Sequence, residues 1–366
     1  MIDNVFSPSF GNRPSQLVGR EDILNLFQQA LAAQPGSRDR ALLLLGQRGY
    51  GKTVLLWELA DCARDTGFVV ASPTTASFDM TQRIIEKIQD DGQRYISEKE
   101  RRVSGGSVGA LGFSMGLQFT QEVQDAKSFQ FKLTKLCRRL NDRGHGLAIF
   151  VDEVQASSDP LRQLAVAYQE LVGEGANIAL VMAGLPGAMS ATLNDRVMTF
   201  LNRARKKTLP PLPIHDVETY LSTVFRKLGV ILTEQQIYNL AQATEGSPYL
   251  LQLVGHNIVA ATEDNGFIAN DAIDVAIQRA QSDFVNDVCK TILVSLSDRD
   301  ISFLKAMALD SAESKTSEIA ERLGTTPDYA QKYRIRLIDS GVIESHRRGY
   351  VRFAVPYLAE YLSSLE

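Results

Sequence analysis

Short apolar runs alternate with amphipathic stretches over the first half of the chain. The runs that read as buried strands lie at residues 41–45, 67–71, 147–151, 177–183 and 208–209. Residues 54–60, 81–100 and 127–143 read as helices, and the apolar stripe of the last is supplied by Phe131, Leu133, Leu136, Cys137 and Leu140. This alternation predicts a parallel sheet covered on both faces by helices.

The second half follows a different pattern, which begins after the proline-rich residues 210–213. Residues 215–290 read as helical throughout, with Asp216 as the predicted cap of the first helix. Helices at 298–309, 316–323 and 326–340 and a hairpin at 342–355 then read as a winged helix-turn-helix. The predicted domains are an α/β domain at 1–213, a helical lid at 214–294 and a winged helix at 295–366.

One glycine-rich stretch interrupts the alternation at residues 103–119. Glycine at this density does not support a stable helix, and apolar residues recur at every second position of its later half. The pattern predicts a mobile hairpin, and a surface loop without fixed structure is the alternative that it leaves open.

The strongest chemical signal follows the first strand, where residues 46–53 read Gly-Gln-Arg-Gly-Tyr-Gly-Lys-Thr. Glycines let the backbone curl so that successive N–H groups point at a polyphosphate, and the next helix adds its N-terminal dipole. In this P-loop Lys52 is expected to reach the β- and γ-phosphates, and Thr53 to hold Mg²⁺. The predicted nucleotide contacts are Gly46, Gln47, Arg48, Gly49, Tyr50, Gly51, Lys52, Thr53 and Val54. A plain strand-to-helix turn is the alternative, but the flanking elements disfavour it.

A second nucleotide signature ends the strand at residues 147–151 with two carboxylates, Asp152 and Glu153. In this Walker B pattern Asp152 is expected to bind Mg²⁺ and Glu153 to act as general base on the attacking water. The alternative is a solvated strand end, which the preceding P-loop makes a weaker interpretation.

Charge, cysteine content and hydrophobic length bear on which partners, structural sites and cell compartment to expect. A net charge of −4 neither requires nor excludes nucleic acid as a partner. The three cysteines, Cys62, Cys137 and Cys289, lie far apart and suggest neither a zinc site nor disulfides. Because no apolar signal core or membrane span is evident, we expect a cytoplasmic protein without membrane contact.

P-loop, Walker B, helical lid and winged helix in this order resemble the AAA+ ATPases of the origin-recognition branch and the related archaeal-type ATPases, close to the STAND NTPases. Residues 17–21, Leu-Val-Gly-Arg-Glu, are similar to the element that packs near the adenine in that family. The resemblance therefore implies nucleotide contacts by Gly19 and Arg20. A turn before a helix is the alternative for these residues.

Two positions depart from the family pattern. The strand after Walker B ends in Gly184-Leu185-Pro186, without the polar sensor residue of the family, which implies slow hydrolysis. In the lid, residues 246–248 read Gly-Ser-Pro, similar to the STAND element through which a proline-bearing helix start contacts nucleotide. The resemblance thus implies a contact by Pro248 in place of a sensor arginine.

The resemblance also implies an arginine finger that completes a neighbouring subunit's site. Arg203 fits the family position best, with Arg196 and Arg205 in the same window. A finger supplied in trans would couple hydrolysis to a homo-oligomer formed with ATP. A solvated basic helix end is the alternative.

The winged helix predicts contact with duplex DNA. The predicted DNA contacts are Gln331, Lys332 and Arg334 on the second helix and Arg347 and Arg348 on the wing. Acidic residues dilute this basic face, so a protein-packing module stays open. The first hypothesis is a slow ATPase, with ATP and Mg²⁺, whose nucleotide state controls assembly and DNA binding; the alternative is a STAND-like switch with an autoinhibitory or protein-binding winged helix.

Overall fold

The computed structural model of the chain describes residues 5–8, 13–14, 17–101, 128–154 and 157–365. Its larger sheet has five parallel strands in the order β2-β3-β4-β1-β5. The strands are β1 Ala41–Leu45, β2 Phe68–Thr75, β3 Gly146–Val154, β4 Ile178–Gly184 and β5 Arg205–Thr208. The helices around them are α1 Glu21–Ala32, α2 Lys52–Asp65, α3 Met80–Arg101, α4 Phe129–Asp142, α5 Asp159–Gly173 and α6 Pro186–Leu193. The predicted α/β fold is confirmed.

Helices cover both faces of this sheet, and the strand side chains alternate between two cores. Leu43 of β1 belongs to a core with α3, α4 and α5, whereas Leu42 and Leu44 belong to a core with α1 and α2. All three leucines are at most 1% exposed. Because both faces are covered, the central strands read as continuous apolar runs, which is why the sequence predicts them well.

Nine further α-helices, one π-helical turn and a small antiparallel sheet form the secondary structure of the described part of the second half. The lid helices are α7 Ile214–Leu228, α8 Glu234–Ala243, α9 Pro248–Ala261, α10 Asn270–Phe284 and, after a π-helical turn at Val285–Cys289, α11 Lys290–Val294. The C-terminal part has α12 Asp298–Ala308, β6 Ser314–Lys315, α13 Thr316–Arg322, α14 Pro327–Asp339, β7 Ile343–Arg347, β8 Tyr350–Phe353 and α15 Leu358–Ser363. Its strands pair in the order β6-β8-β7, which completes the predicted winged helix-turn-helix.

One hydrophobic core runs through both the lid and the C-terminal part. It includes Leu221 and Ile258 of the lid together with Phe303 and Leu337 beyond it. The domain limits at 213/214 and 294/295 therefore stay predictions, and the last two segments share buried side chains across the second of them.

The structure corrects three local predictions. Phe131 is 49% exposed instead of buried, with Lys135 Nζ 5.2 Å from its ring centroid, because a spacing of two residues from the buried Leu133 places it on the other side of α4. Asp216 does not cap α7, which starts at Ile214 after Pro213 and places the carboxylate inside the first turn, where the helix dipole favours it.

The third correction concerns the last strand, which is Arg205–Thr208 and not 208–209. Its residues are mostly charged, so it does not form an apolar run. As an edge strand it is held by pairing with one neighbour, here β1. The hairpin predicted at residues 103–119 lies outside the described residues.

The N-terminal segment is fixed to the lid by Phe6, which is 2% exposed. Its ring packs against Phe225 at 5.5 Å and edge-on against Tyr220 at 6.1 Å between centroids. Gly255 of α9 leaves the space that the Phe6 ring occupies, because a Cβ there would lie 2.1 Å from the ring. Phe6 thus holds the adjoining Ser7 and Pro8 beside α9.

We expect Phe6→Ala to lower the free energy of unfolding by about 3–5 kcal/mol, because it empties a buried aromatic site. Urea unfolding followed by fluorescence measures this loss. Phe78→Ala is the matched control: Phe78 is 96% exposed, so its removal should change stability by less than about 0.5 kcal/mol. Equal effects of the two substitutions would contradict the seating of Phe6.

Candidate functional site

The loops that follow β1, β3 and β4 meet at the carboxyl edge of the parallel sheet and open into one cavity of about 650 Å³. This edge is where open α/β sheets bind ligands. The predicted site residues that line the cavity are Arg20, Arg48, Gly49, Tyr50, Gly51, Lys52, Thr53, Val54, Asp152, Glu153 and Pro248. The fold therefore brings together two sequence motifs and a lid residue that lie about 200 positions apart along the chain.

The loop before α2 depends on its glycines. Gly49 and Gly51 have φ of +79° and +76°, in the left-handed region that side chains disfavour. Gly51 also lies under the lid, since a Cβ on it would be 3.6 Å from Pro248 Cγ. Pro248 is the first residue of α9 and so approaches the loop with a helix N-terminus. Two helix N-termini, those of α2 and α9, thus border the same loop.

Lys52 closes the loop from inside. Its ammonium donates to the carbonyls of Gly46 at 2.8 Å and Gln47 at 2.7 Å. Since an ammonium has three N–H donors, one is left for a ligand oxygen. Burial lowers the pKa of Lys52 to about 8, more than the nearby Asp152 raises it. An anion in the cavity would restore the charge that burial disfavours.

The Thr53 hydroxyl donates to the Asp152 carboxylate at 2.6 Å, which joins the start of α2 to the end of β3. The other Asp152 oxygen accepts the backbone N–H of Glu153 at 2.8 Å. Glu153 has φ of +53°, rare for a residue with a side chain, and sits where the β3–β4 register shifts between Val151 and Val154. Such bulges re-aim side chains beside active sites, and here Glu153 lines the cavity.

The donor set fits a magnesium ion shared with phosphate. Within the described part of the chain no group of three or more His, Cys, Asp or Glu residues could hold a metal by itself. Mg²⁺ bound with nucleotides usually takes one or two protein oxygens and completes its shell with phosphate and water. The adjacent oxygens of Thr53 and Asp152 supply such a pair.

The other end of the cavity is mostly apolar and combines the N-terminal segment with the lid. Gln252 of α9 accepts the Ser7 backbone N–H at 3.0 Å, which connects the two. The residues of this end are Ser7, Pro8, Pro14, Leu17, Val18, Leu212, Tyr249, Leu251 and Gln252. A slot of this kind suits a flat heterocyclic base. Leu17 and Val18 belong to the motif at residues 17–21, whereas sequence reasoning missed the others because they form no local motif.

Gly19 and Arg20 occupy the turn beside this slot. Gly19 has φ of +62°, and a Cβ on it would lie 3.2 Å from Asp216 Oδ2. Arg20 is 4% exposed and donates to the carbonyl of Pro210 at 2.7 Å; burial lowers its pKa. Arg20 therefore fastens the segment that leads into the lid, in addition to lining the cavity.

Two P-loop side chains contact the winged helix. The Tyr50 hydroxyl donates to the carbonyl of Ala354 at 3.1 Å, and burial raises its pKa to about 12. Gln47 is 7% exposed and faces Gly341, where a Cβ would lie 2.0 Å from Gln47 Oε1. Contacts between residues some 300 positions apart leave no trace in the sequence pattern.

The predicted arginine finger lies at the opposite edge of the sheet. The Arg203 carbonyl accepts from Arg38 Nε at 2.8 Å, and Arg38 precedes β1, whose other end carries the P-loop. Arg205 forms an ion pair with Asp39, so its guanidinium is already engaged within the chain. Arg203 cannot reach its own cavity from this edge, so a role in trans stays a prediction.

The predicted DNA contacts lie on α14 and the wing and do not line the cavity. Gln331, Lys332 and Arg348 are exposed. Arg334 donates to Ser345 Oγ at 3.0 Å, which fastens the helix to the wing. Arg347 pairs with Glu313 and lies 3.7 Å over the Tyr350 ring. Lys332 and Arg348 are thus the freer cations of this surface.

Comparisons with known families agree with the motifs. Residues 16–182 match the family described as AAA ATPase domain, and residues 286–362 match a family described as a domain of unknown function. No curated protein has a significant match to the chain. Among the described residues, no helix is long and apolar enough to cross a membrane.

Solved structures share the fold over nearly the whole chain. The Walker-type ATPase PABY2304 of Pyrococcus abyssi has a TM-score of 0.71 at 17% identity, with 98% of this chain and 99% of that chain covered. The ORC2 protein of Aeropyrum pernix, in ADPNP–ADP complexes, has a TM-score of 0.63 at 14% identity, with 98% and 95% covered. Cdc6p of Pyrobaculum aerophilum has a TM-score of 0.53 at 18% identity, with 98% and 95% covered.

The lowered pKa of Lys52 makes nucleotide affinity depend on pH. The ammonium needed for phosphate loses its proton above about pH 8 in the free protein, so affinity should fall about 20-fold between pH 7.5 and 9.5. Folding stability should move the other way, because between pH 8 and 10.5 the unfolded chain binds more protons than the folded one. Calorimetric titration with ADP at several pH values measures the first effect.

Lys52→Met is the control for this pH dependence. Because it also lacks the ammonium, any ADP binding that it retains should be weak and should not change across the same interval. A wild-type affinity that stays constant from about pH 7.5 to 9.5 would contradict a contact between the Lys52 ammonium and the phosphates.

Proposed function

We propose that this chain, whose residues 16–182 match the family described as AAA ATPase domain, is a slow, Mg²⁺-dependent ATPase whose nucleotide state controls its assembly and its binding to duplex DNA through the winged helix. The observation that carries the proposal is the single cavity lined by the P-loop, both Walker B carboxylates and Pro248 of the lid.

In this site the phosphates lie along the P-loop and the base lies between the N-terminal segment and α9. The loop N–H groups and the free donor of Lys52 bind the phosphate oxygens. Thr53 and Asp152 would hold Mg²⁺, and the ion would supply positive charge beside the phosphates. Glu153 lines the same cavity and orients and polarises the attacking water.

Slow turnover follows from the end of β4. Gly184 and Leu185 line the cavity where the family resemblance leads us to expect a polar side chain beside the γ-phosphate. Without a hydrogen-bond donor from that strand end, the water and the γ-phosphate lose one orienting contact. We therefore propose that hydrolysis is slow until a neighbour contributes a cation, with Arg203 as its source.

The DNA surface consists of the exposed part of α14 and the tip of the wing. Lys332 and Arg348 supply charge for the phosphate backbone, and Gln331 stands on the helix face that a major groove would accept. Arg334 and Arg347 hold this surface in shape through Ser345 and Glu313.

A STAND-like switch is the second candidate, and one observation favours it. The P-loop contacts the winged helix directly through the Tyr50–Ala354 hydrogen bond. In that case the winged helix would hold the nucleotide site closed and release a protein-binding surface when activated. Binding of duplex DNA to the purified chain separates the two candidates.

We expect Lys52→Ala to abolish nucleotide binding and Glu153→Gln to retain binding while lowering hydrolysis at least about 100-fold, because the first removes the phosphate contact and the second the base. Equilibrium binding and phosphate release measure the two effects. ATP retained by the first variant, or cleaved at the wild-type rate by the second, would contradict the assigned roles.

We expect the pair Lys332→Glu and Arg348→Glu to weaken duplex DNA binding by about 10-fold or more and to reduce its salt dependence, because two phosphate contacts are lost. Fluorescence anisotropy of a labelled duplex at several salt concentrations measures both. The pair Arg226→Glu and Lys227→Glu, exposed on α7, makes the same charge change away from this surface. If DNA affinity falls equally in both pairs, the loss is caused by net charge and the assignment of this surface to DNA is contradicted.

A further inference from the structure

The base of the wing rests on the outer side of the P-loop. Tyr50, 8% exposed, donates to Ala354 just after β8, and Gln47 fits against Gly341 just before β7. A third contact lies beside them, where a Cβ on Gly187 of α6 would be 2.2 Å from Asp339 Cα at the end of α14. The winged helix therefore packs on the nucleotide-binding domain with no space to spare.

The same loop has its inner side in the cavity. Lys52 holds the carbonyls of Gly46 and Gln47, and the left-handed glycines at 49 and 51 flank Tyr50 on both sides. Phosphate oxygens would fix the loop from within, whereas Ala354 and Gly341 fix it from outside. Any change in the shape of the loop must alter both sets of contacts, because both are made by the loop at residues 46–51.

The wing connects this contact to the DNA surface. Its base is closed by the Ala354 N–H, which donates to the Val342 carbonyl at 3.0 Å. Its tip carries Arg348, five residues beyond Ile343 and thus about 16 Å away along the hairpin. The base lies on the P-loop while the tip stands in solvent.

We propose that the wing hairpin transmits occupancy of the phosphate site to the DNA surface through Tyr50, Gln47 and Gly341. The docked wing holds the loop in its phosphate-binding shape, so nucleotide and docking stabilise each other, and docking fixes the orientation of the wing tip. By linkage, nucleotide raises DNA affinity by the same factor by which DNA raises nucleotide affinity. The DNA step of this inference rests on the proposed function; the coupling of nucleotide to the wing does not.

In this proposal the β-phosphate, and not the γ-phosphate, determines whether the wing docks on the P-loop. P-loop backbone groups surround the α- and β-phosphates. On the γ-phosphate side, the hydrogen bonds of Asp152 in the described part of the chain go to Thr53 and to the Glu153 N–H and not to the wing base. ADP should therefore act like the non-hydrolysable analogue ADPNP, whereas AMP should have little effect. On this account nucleotide release, and not hydrolysis, undocks the wing.

Gly187→Ala tests the contact between α6 and the end of α14, because the added methyl group would push the two apart. Alanine favours the α6 helix intrinsically, but its Cβ would meet the backbone of Asp339 across the interface. Gly173→Ala in α5 is the matched control, because a Cβ there meets nothing within 4 Å. Neither glycine lines the cavity.

The first readout is duplex DNA affinity by anisotropy with ADP, ADPNP or AMP. We expect ADP and ADPNP each to raise wild-type and Gly173→Ala affinity at least about 5-fold over AMP, and to raise Gly187→Ala affinity less than about 2-fold. Equal DNA affinity with ADP and AMP in the wild type, or a wild-type response in Gly187→Ala, would overturn the proposal.

The second readout does not need DNA. Hydrogen exchange at the amides of Val342 and Ala354, bonded to the carbonyls of Leu337 and Val342, reports closure of the wing base. ADP should slow this exchange in the wild type and in Gly173→Ala, and should have little effect in Gly187→Ala. Unchanged exchange in the wild type would overturn the coupling.

The two readouts distinguish the coupling from the proposed function. Protection by ADP without any DNA binding would leave the coupling standing and remove the DNA-binding function. If Gly187→Ala does not fold, Tyr50→Phe replaces it, since it removes only the hydroxyl that bonds Ala354. Its ADP-dependent protection should then fall, and full wild-type protection would count against the route.

Discussion

The short loop between β1 and α2 is the constraint on which the rest of the structure depends. A loop that presents backbone N–H groups to phosphates must be free of bulk on its inner side, which requires glycine and leaves the loop with little shape of its own. Its shape is therefore set by neighbours: Lys52 from within, Pro248 of the lid from one side, and Tyr50 and Gln47 through the winged helix from the other. Each part of the chain contributes to holding this one segment.

This dependence explains why chemistry and regulation converge at the carboxyl edge of the sheet. The Thr53–Asp152 hydrogen bond ties the loop to β3, and the bulge that follows brings Glu153 into the same cavity. On our proposal, the residues that respond to the γ-phosphate lie on the β3 side, while those that respond to the β-phosphate lie against the wing. Hydrolysis and docking can then be controlled by different parts of one nucleotide.

The sequence predicts the elements whose causes are local. β1, β3 and β4 are buried on both faces, so apolar runs reveal them, and the glycines of residues 46–53 have a steric reason that can be read directly. The edge strand β5 was misplaced because pairing, and not burial, makes it a strand. Phe131 is misassigned because it is apolar but lies two residues before Leu133, a spacing that turns it away from the buried face of α4.

The larger gaps concern contacts between distant segments. Nothing near Phe6 or Ser7 in the sequence indicates that they pack on α9 and complete the cavity, and nothing near Tyr50 indicates Ala354. Such contacts arise from how the lid and winged helix share one core, which involves side chains from Phe6 to Leu362. Lone glycines such as Gly255 and Gly341 are the nearest thing to a signal, since close approach excludes a side chain at both.

A crystal structure of the chain with ADPNP and Mg²⁺ tests the central claim most directly. The account predicts the β-phosphate inside the loop at residues 46–53, the base between Pro8 and Tyr249, and the Tyr50–Ala354 hydrogen bond intact. A nucleotide bound in the loop with the wing base moved away from Tyr50 would contradict the claim that phosphate and winged helix hold the same segment together.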